Sequence, residues 1–161
     1  MNVTVMKKLT YISCLVVLPL FIAAQSYTER DGLAYDENGY LMNGKYQTTY
    51  ENGQVKEEFN FTEGLRDGAF TAYSEEGKII EMGSFLAGQK NGKWVRWDVS
   101  GTKTGEIKFH NGLKDGKWQI WDSNGVLRYV MYYDNGNKTG NWLMYNEEGA
   151  LVKEENHDVS F

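Results

Sequence analysis

The sequence predicts an all-β fold, an elongated single-layer antiparallel meander of repeated 24-residue β-hairpins. Three observations carry this. Glycines recur at residues 44, 68, 92, 116 and 140, at 53, 77, 101, 125 and 149, and at 64, 88, 112 and 136, always 24 apart. Aromatic residues keep the same step. Tyr46, Phe70, Trp94, Trp118 and Trp142 stand two residues after the first glycine series, Tyr73, Trp97, Trp121 and Tyr145 five after it, and Phe61, Phe85, Phe109 and Tyr133 three before the third. Between the glycines, apolar residues alternate with the period of a strand: Leu127, Tyr129, Met131 and Tyr133 are expected on one face, matched by Val55, Phe59 and Phe61 and by Ile79 and Phe85. A fixed period in this range marks a repeat architecture.

From the N terminus, residues 1–24 form a segment apart. Lys7 and Lys8 precede an apolar run from Leu9 to Ala24, with no acidic residue in the segment. That is the layout of a secretory signal peptide, cleaved near Ala24, and the run is short of the ~20 apolar residues that a spanning helix needs. Cleavage would remove Cys14, the one cysteine, and leave a mature chain without disulfides. It would also leave 15 basic against 22 acidic residues, a net charge of about −7. Such a balance argues against nucleic acid and against anionic membrane lipid, both of which recruit basic patches. The expected location is periplasmic or extracellular.

Residues 25–43 are expected to be a partial repeat acting as a cap, since RDGLAYDENG (30–39) looks like a shortened version of RDGAFTAYSEEG (66–77). Residues 44–149 hold the hairpin repeats. Each unit has two turn signals. One is an aromatic, three polar residues and Gly, as in WDSNG (121–125) and YNEEG (145–149). The other is NGLKDG (111–116), echoed by EGLRDG, AGQKNG and NGNKTG. Glycine supplies the positive φ that such turns require. The first unit, YQTTYENG (46–53), brings its aromatic one residue closer to the glycine, which predicts a distorted hairpin there. Residues 150–161 are read as a last strand and tail, whose charged run Lys153–Asp158 suits a sheet edge that must not pair further. A hairpin of this size cannot bury its own apolar face, so stability must come from stacking on neighbours.

The recurring unit, G-x-W-x-x-W-x-x-x-G with a following N-G-x-K-x-G, resembles the MORN-repeat variant found in bacterial proteins labelled YwqK-family antitoxins, and YDENG (35–39) and YENG (50–53) are phrased the same way. The resemblance spans roughly residues 30–157. It implies an elongated sheet of hairpins and a structural or interaction role, with phospholipid contact in some members, and it brings across no catalytic residue.

The residues themselves offer little chemistry. His110 and His157 have no cysteine or second histidine at ligand spacing, so no metal site is expected. No G-x-S-x-G elbow occurs, and GQKNGK (88–93) is one residue short of a phosphate loop, with Trp94 where Ser or Thr would hold magnesium. Neither a catalytic residue nor a cofactor is assigned. Arg66, Lys90, Lys114 and Lys138 form a column of one cation per unit, expected to be solvated and paired with the following Asp67 or Asp115.

The candidate binding surface is aromatic: Trp94, Trp97, Trp118, Trp121, Trp142 and Tyr145. Rings of this kind either pack a thin sheet or present rigid platforms to a partner. Packing is favoured for the first aromatic of each unit. For Trp97 and Trp121 both readings stay open: three residues separate Trp118 from Trp121, which puts them on opposite faces unless a bulge intervenes. The expected function is that of an exported, non-enzymatic scaffold that binds another protein or a cell-envelope glycan or other polymer. The alternative is an antitoxin or immunity-type protein that neutralises a cognate toxin.

Overall fold

The computed structural model describes residues 27–158, and the expected leader, with Cys14, lies outside the described residues. A small hairpin, β1 (Thr28–Arg30) and β2 (Leu33–Tyr35), precedes a long antiparallel sheet. The sheet is built from β3 (Gly44–Thr49), β4 (Val55–Thr62), β5 (Leu65–Arg66), β6 (Gly68–Tyr73), β7 (Ile79–Leu86), β8 (Gln89–Trp97) and β9 (Lys103–His110). It continues through β10 (Leu113–Lys114), β11 (Gly116–Trp121), β12 (Leu127–Asp134), β13 (Asn137–Tyr145) and β14 (Leu151–Asn156). Strands pair in chain order from β3 to β14, with the short β5 and β10 forming the first pairs of β6 and β11. The expected open meander of hairpins is what forms, and every extensive contact is between neighbours in it.

Two kinds of turn alternate. Asn111 and Gly112 both take positive φ (46° and 79°) between paired His110 and Leu113, a two-residue turn whose twist matches that of the flanking strands. Only the first two residues of NGLKDG therefore make the turn. Beyond it the register moves from Phe109↔Lys114 to Gln119↔Glu106, so the outgoing strand carries two extra residues around Asp115 and Gly116. At the other end, WDSNG closes through its aspartate: Asp122 Oδ1 accepts the Asn124 and Val126 N–H groups, both at 3.0 Å. Asp98 and Asp36 do the same in their own turns. The extensive hydrogen bonding to Asp98, first from the Ser100 hydroxyl, holds its carboxyl below the usual carboxylate range.

The first unit is not distorted. Thr49 pairs with Val55 as Tyr73 pairs with Ile79, so Thr49 occupies the aromatic's place and Tyr50 stands where Asp98 and Asp122 stand in later units. Its hairpin closes with Tyr50 N–H donating to Gln54 O at 2.8 Å. Lacking an aspartate there, the turn uses Asn52 Oδ1 to accept the Gln54 N–H, and the Tyr50 hydroxyl donates to Tyr73 O of the next hairpin at 2.8 Å.

The return strands also depart from simple alternation. Ile120 pairs with Tyr129 but Trp121 with Leu127, leaving Arg128 as an extra residue in β12. One extra residue reverses the facing of what lies beyond it. Leu127, Ile79 and Val55 therefore share the face of their partners Trp121, Tyr73 and Thr49, and not that of Tyr133, Phe85 and Phe61 as the alternation suggested.

The N-terminal segment covers one end of the sheet. Ala34 N–H donates to Gly64 O and Gly64 N–H to Met42 O, Ala34 and Met42 are buried, and the Tyr27 ring lies 5.2 Å from that of Phe61. Asp31 and Gly32 form a positive-φ pair like Glu63 and Gly64, so the RDG of residues 30–32 corresponds to that turn and not to Asp67 and Gly68. At the opposite edge all six residues of β14 are exposed.

Candidate binding faces

The six candidate aromatics divide between the two faces. On the outgoing strand β11 the chain is continuous from Trp118 to Trp121, because the extra residue sits in β12. Three steps along a continuous strand invert the side chain, so Trp118 and Trp121 face opposite ways.

Trp94, Trp118 and Trp142 lie on the first face, where they interleave with the rings of the return strands. Centroid distances run 5.2 Å from Phe85 to Trp94, 6.3 Å to Phe109, and then 5.2 Å at each step through Trp118, Tyr133 and Trp142. His157 ends the row, 4.6 Å from Trp142, in the place that Phe61, Phe85, Phe109 and Tyr133 hold one period apart. Each indole N–H is used internally: Trp94 donates to Ser84 O, Trp118 to Lys108 O at 2.8 Å and Trp142 to Tyr132 O at 3.0 Å. Trp94 is fully buried at 0% exposure, with its ring stacked over Gly83, and offers no surface to a partner. Among the described residues no second layer covers the sheet, and these three rings are its packing.

The cation column belongs to this face as well. Lys90 Nζ sits 3.6 Å from the Trp94 ring centroid, Lys114 4.8 Å from both Trp118 and Tyr133, Lys138 4.2 Å from Trp142, and the Arg66 guanidinium 4.3 Å from Phe59. Pairing with the following aspartate does not occur. Asp67 instead accepts the Ala87 N–H, and Asp115 pairs with Lys108. The physical reason is register: each cation is the second residue after a two-residue turn and lies over the rings of its own face, where the π-systems attract it. Burial pushes the Lys90 pKa down, against the pull of Glu81 at 3.4 Å.

Trp97, Trp121 and Tyr145 lie on the second face, in one column with Tyr73. Among the described residues, the indole N–H groups of Trp97 and Trp121 have no acceptor, and neither is sealed from water. One strand, β9, separates β8 from β11. It brings Lys103 into the gap, paired in register with Trp97 and with Nζ 4.1 Å from the Trp121 centroid. Glu106 lies beside it, bridging Lys93 at 3.0 Å and Lys103 at 3.2 Å. Hydrogen bonds from Lys93 and then Lys103 hold the Glu106 carboxyl below its ordinary range, so it is a carboxylate at neutral pH. Sequence reasoning missed Lys93, Lys103 and Glu106. Tyr73 was visible in the 24-residue period, and its hydroxyl donates to Glu58 at 2.8 Å.

Among the described residues no group of three or more His, Cys, Asp or Glu is placed to hold a metal ion, and no helix is long and apolar enough to cross a membrane. His110 is an exposed strand-end residue paired with Leu113.

Three segments of the chain, residues 42–63, 66–87 and 114–137, match the family model described as the MORN repeat variant. Their starts are 24 and 48 residues apart, in step with the glycine period. No curated protein matches the chain. Among solved structures it is similar to one described as the crystal structure of a GtfA/B complex bound to UDP and GlcNAc, at 11% identity and a TM-score of 0.28, over 88% of this chain and 25% of that one. The chain thus spans a quarter of that structure's length, and a likeness of this degree carries no argument.

Proposed function

We propose that the chain is an exported, non-enzymatic repeat scaffold that binds another protein or a cell-envelope polymer through the sheet face bearing Trp97, Trp121 and Tyr145. MORN-variant repeats supply the scaffold. The observation that carries the reading is the contrast between the two faces. Trp94, Trp118 and Trp142 direct their N–H groups into the sheet, whereas Trp97 and Trp121 keep theirs open beside a charged cluster. A large rigid ring with a free polar handle is the side chain best suited to anchor a partner. Export rests on the basic start and apolar run of residues 1–24.

The test is capture from envelope extracts by the full chain and by a Trp97→Ala/Trp121→Ala variant whose near-ultraviolet circular dichroism shows it to be folded. Capture by the parent chain and loss by the variant supports the reading. Equal capture by both removes the proposed face from the account. Recovery of a single basic soluble protein would favour the antitoxin reading over the scaffold. N-terminal sequencing of exported material should begin at Gln25.

A further inference from the structure

We infer that the second face is a carbohydrate site, taking a linear β-linked polysaccharide that runs across the strands with alternate sugar rings seated on Trp97 and Trp121. The inference rests on the reading above that this face is the binding face, and it names the class of ligand.

Spacing is the first argument. Trp97 and Trp121 sit in the same column, and β9 alone lies between their strands. Two inter-strand steps place their Cα atoms roughly 10 Å apart. That is comparable to the disaccharide repeat of an extended β-1,4-linked chain, in which every second ring presents the same C–H face. The column continues at the same step to Tyr73 on β6 and Tyr145 on β13. The site is therefore periodic in the direction in which the ligand is periodic.

The charges in and beside the gap are the second argument. Lys103 stands in the gap, opposite Trp97, and Glu106, opposite Val95 further along the same face, flanks it with Lys93, one strong acceptor between two donors. An apolar side chain laid across the two rings would have to strip water from Lys103 and its Glu106 partner and could not replace their hydrogen bonds. A sugar offers what both parts of the site need: C–H faces for the rings, and hydroxyl groups, each donor and acceptor, for the charges in and beside the gap. The half-exposed Lys103 ammonium rests over Trp121 in the free chain and yields that place to the sugar by turning to Glu106, with which it is already paired. The open indole N–H groups then donate to ring substituents.

The test is titration of the full chain with a soluble hexasaccharide of β-1,4-linked N-acetylglucosamine and with the corresponding disaccharide, followed by tryptophan fluorescence and calorimetry. The hexasaccharide spans both platforms and the disaccharide one, so the longer probe should bind at least tenfold more tightly. Trp97→Ala and Trp121→Ala should each weaken it at least tenfold, and Trp121→Phe should retain most of the binding. Trp118→Phe, on the other face, should leave it unchanged. Equal affinity for the two probes, or undiminished binding by a folded Trp97→Ala/Trp121→Ala variant, would overturn the inference. If the hexasaccharide does not bind while that variant still loses capture of a protein from envelope extracts, the carbohydrate assignment fails and the binding face stands. If the variant loses neither, both fail.

Discussion

Replacing Gly83 by Ala perturbs the ring-packed face at its tightest point. Gly83 belongs to none of the three periodic glycine series, and its φ is not positive. Only close approach keeps it small: a Cβ built there would fall 2.2, 2.3 and 2.7 Å from three carbons of the Trp94 ring. That ring cannot retreat, because it is fully buried, lies 5.3 Å from Phe70 and 5.2 Å from Phe85, and donates its N–H to Ser84 O. Overpacking costs about 1–3 kcal/mol, and an approach as close as 2.2 Å to a ring that cannot move belongs at the upper end, about 2–3 kcal/mol. Ala recovers up to about 1 kcal/mol of that by restricting the unfolded chain. A net loss of about 1–2 kcal/mol corresponds to a fall in Tm of roughly 2–8 °C for a chain of this size. Thermal unfolding followed by circular dichroism measures it. A double-mutant cycle locates the cause: in a Trp94→Phe background the smaller ring leaves room, and the Gly83→Ala cost should shrink by at least about 1 kcal/mol. An unchanged or higher Tm for Gly83→Ala, or the same loss in both backgrounds, would refute the reasoning.

Three further outcomes follow from particular contacts. Lys90→Met should leave stability unchanged or raise it by up to about 1 kcal/mol in urea unfolding, since burial already disfavours the ammonium and Glu81 keeps Arg96 at 2.8 Å. Tyr50→Phe removes the hydroxyl that joins the first hairpin to Tyr73 O and should cost about 1 kcal/mol, with faster amide exchange confined to residues 44–62. Asp98 has its folded pKa lowered, so its contribution is present above the ordinary carboxylate range and is lost as pH falls through the folded value. Amide exchange at Ser100 and Thr102, corrected for the intrinsic rate, should therefore accelerate on acidification, and Asp98→Asn should abolish that dependence.

The period was legible because each turn glycine occupies a conformation that side chains resist, so the sequence advertises every turn. The offsets were not. Nothing in Lys56, Ile80, Thr104, Arg128 or Val152 marks it as the extra residue of a return strand, and that residue decides which face Val55, Ile79 and Leu127 join. The two-residue offset at Asp115 and Gly116 is likewise silent, although a glycine sits within it. The misread first unit came from aligning Tyr50 with the aromatics. Aligning Gly53 with Gly77 places Thr49 there and Tyr50 in the turn. For the candidate site, the rings were visible from their spacing, while the cluster of Lys93, Lys103 and Glu106 needed the register to bring β8 and β9 together. The cations over the rings needed it too. An Asp after a Lys reads as its partner in one dimension, and the strand register assigns each to something else.

The division of the tryptophans is tested most directly by the indole Nε1–H resonances of the uniformly ¹⁵N-labelled chain, which has five tryptophans. Solvent exchange should be slow for Trp94, Trp118 and Trp142, whose N–H groups bond to strand carbonyls, and fast for Trp97 and Trp121. Slow exchange at Trp97 and Trp121, or five indistinguishable rates, would contradict a sheet whose first-face indoles bond to strand carbonyls and whose second-face indoles are left open.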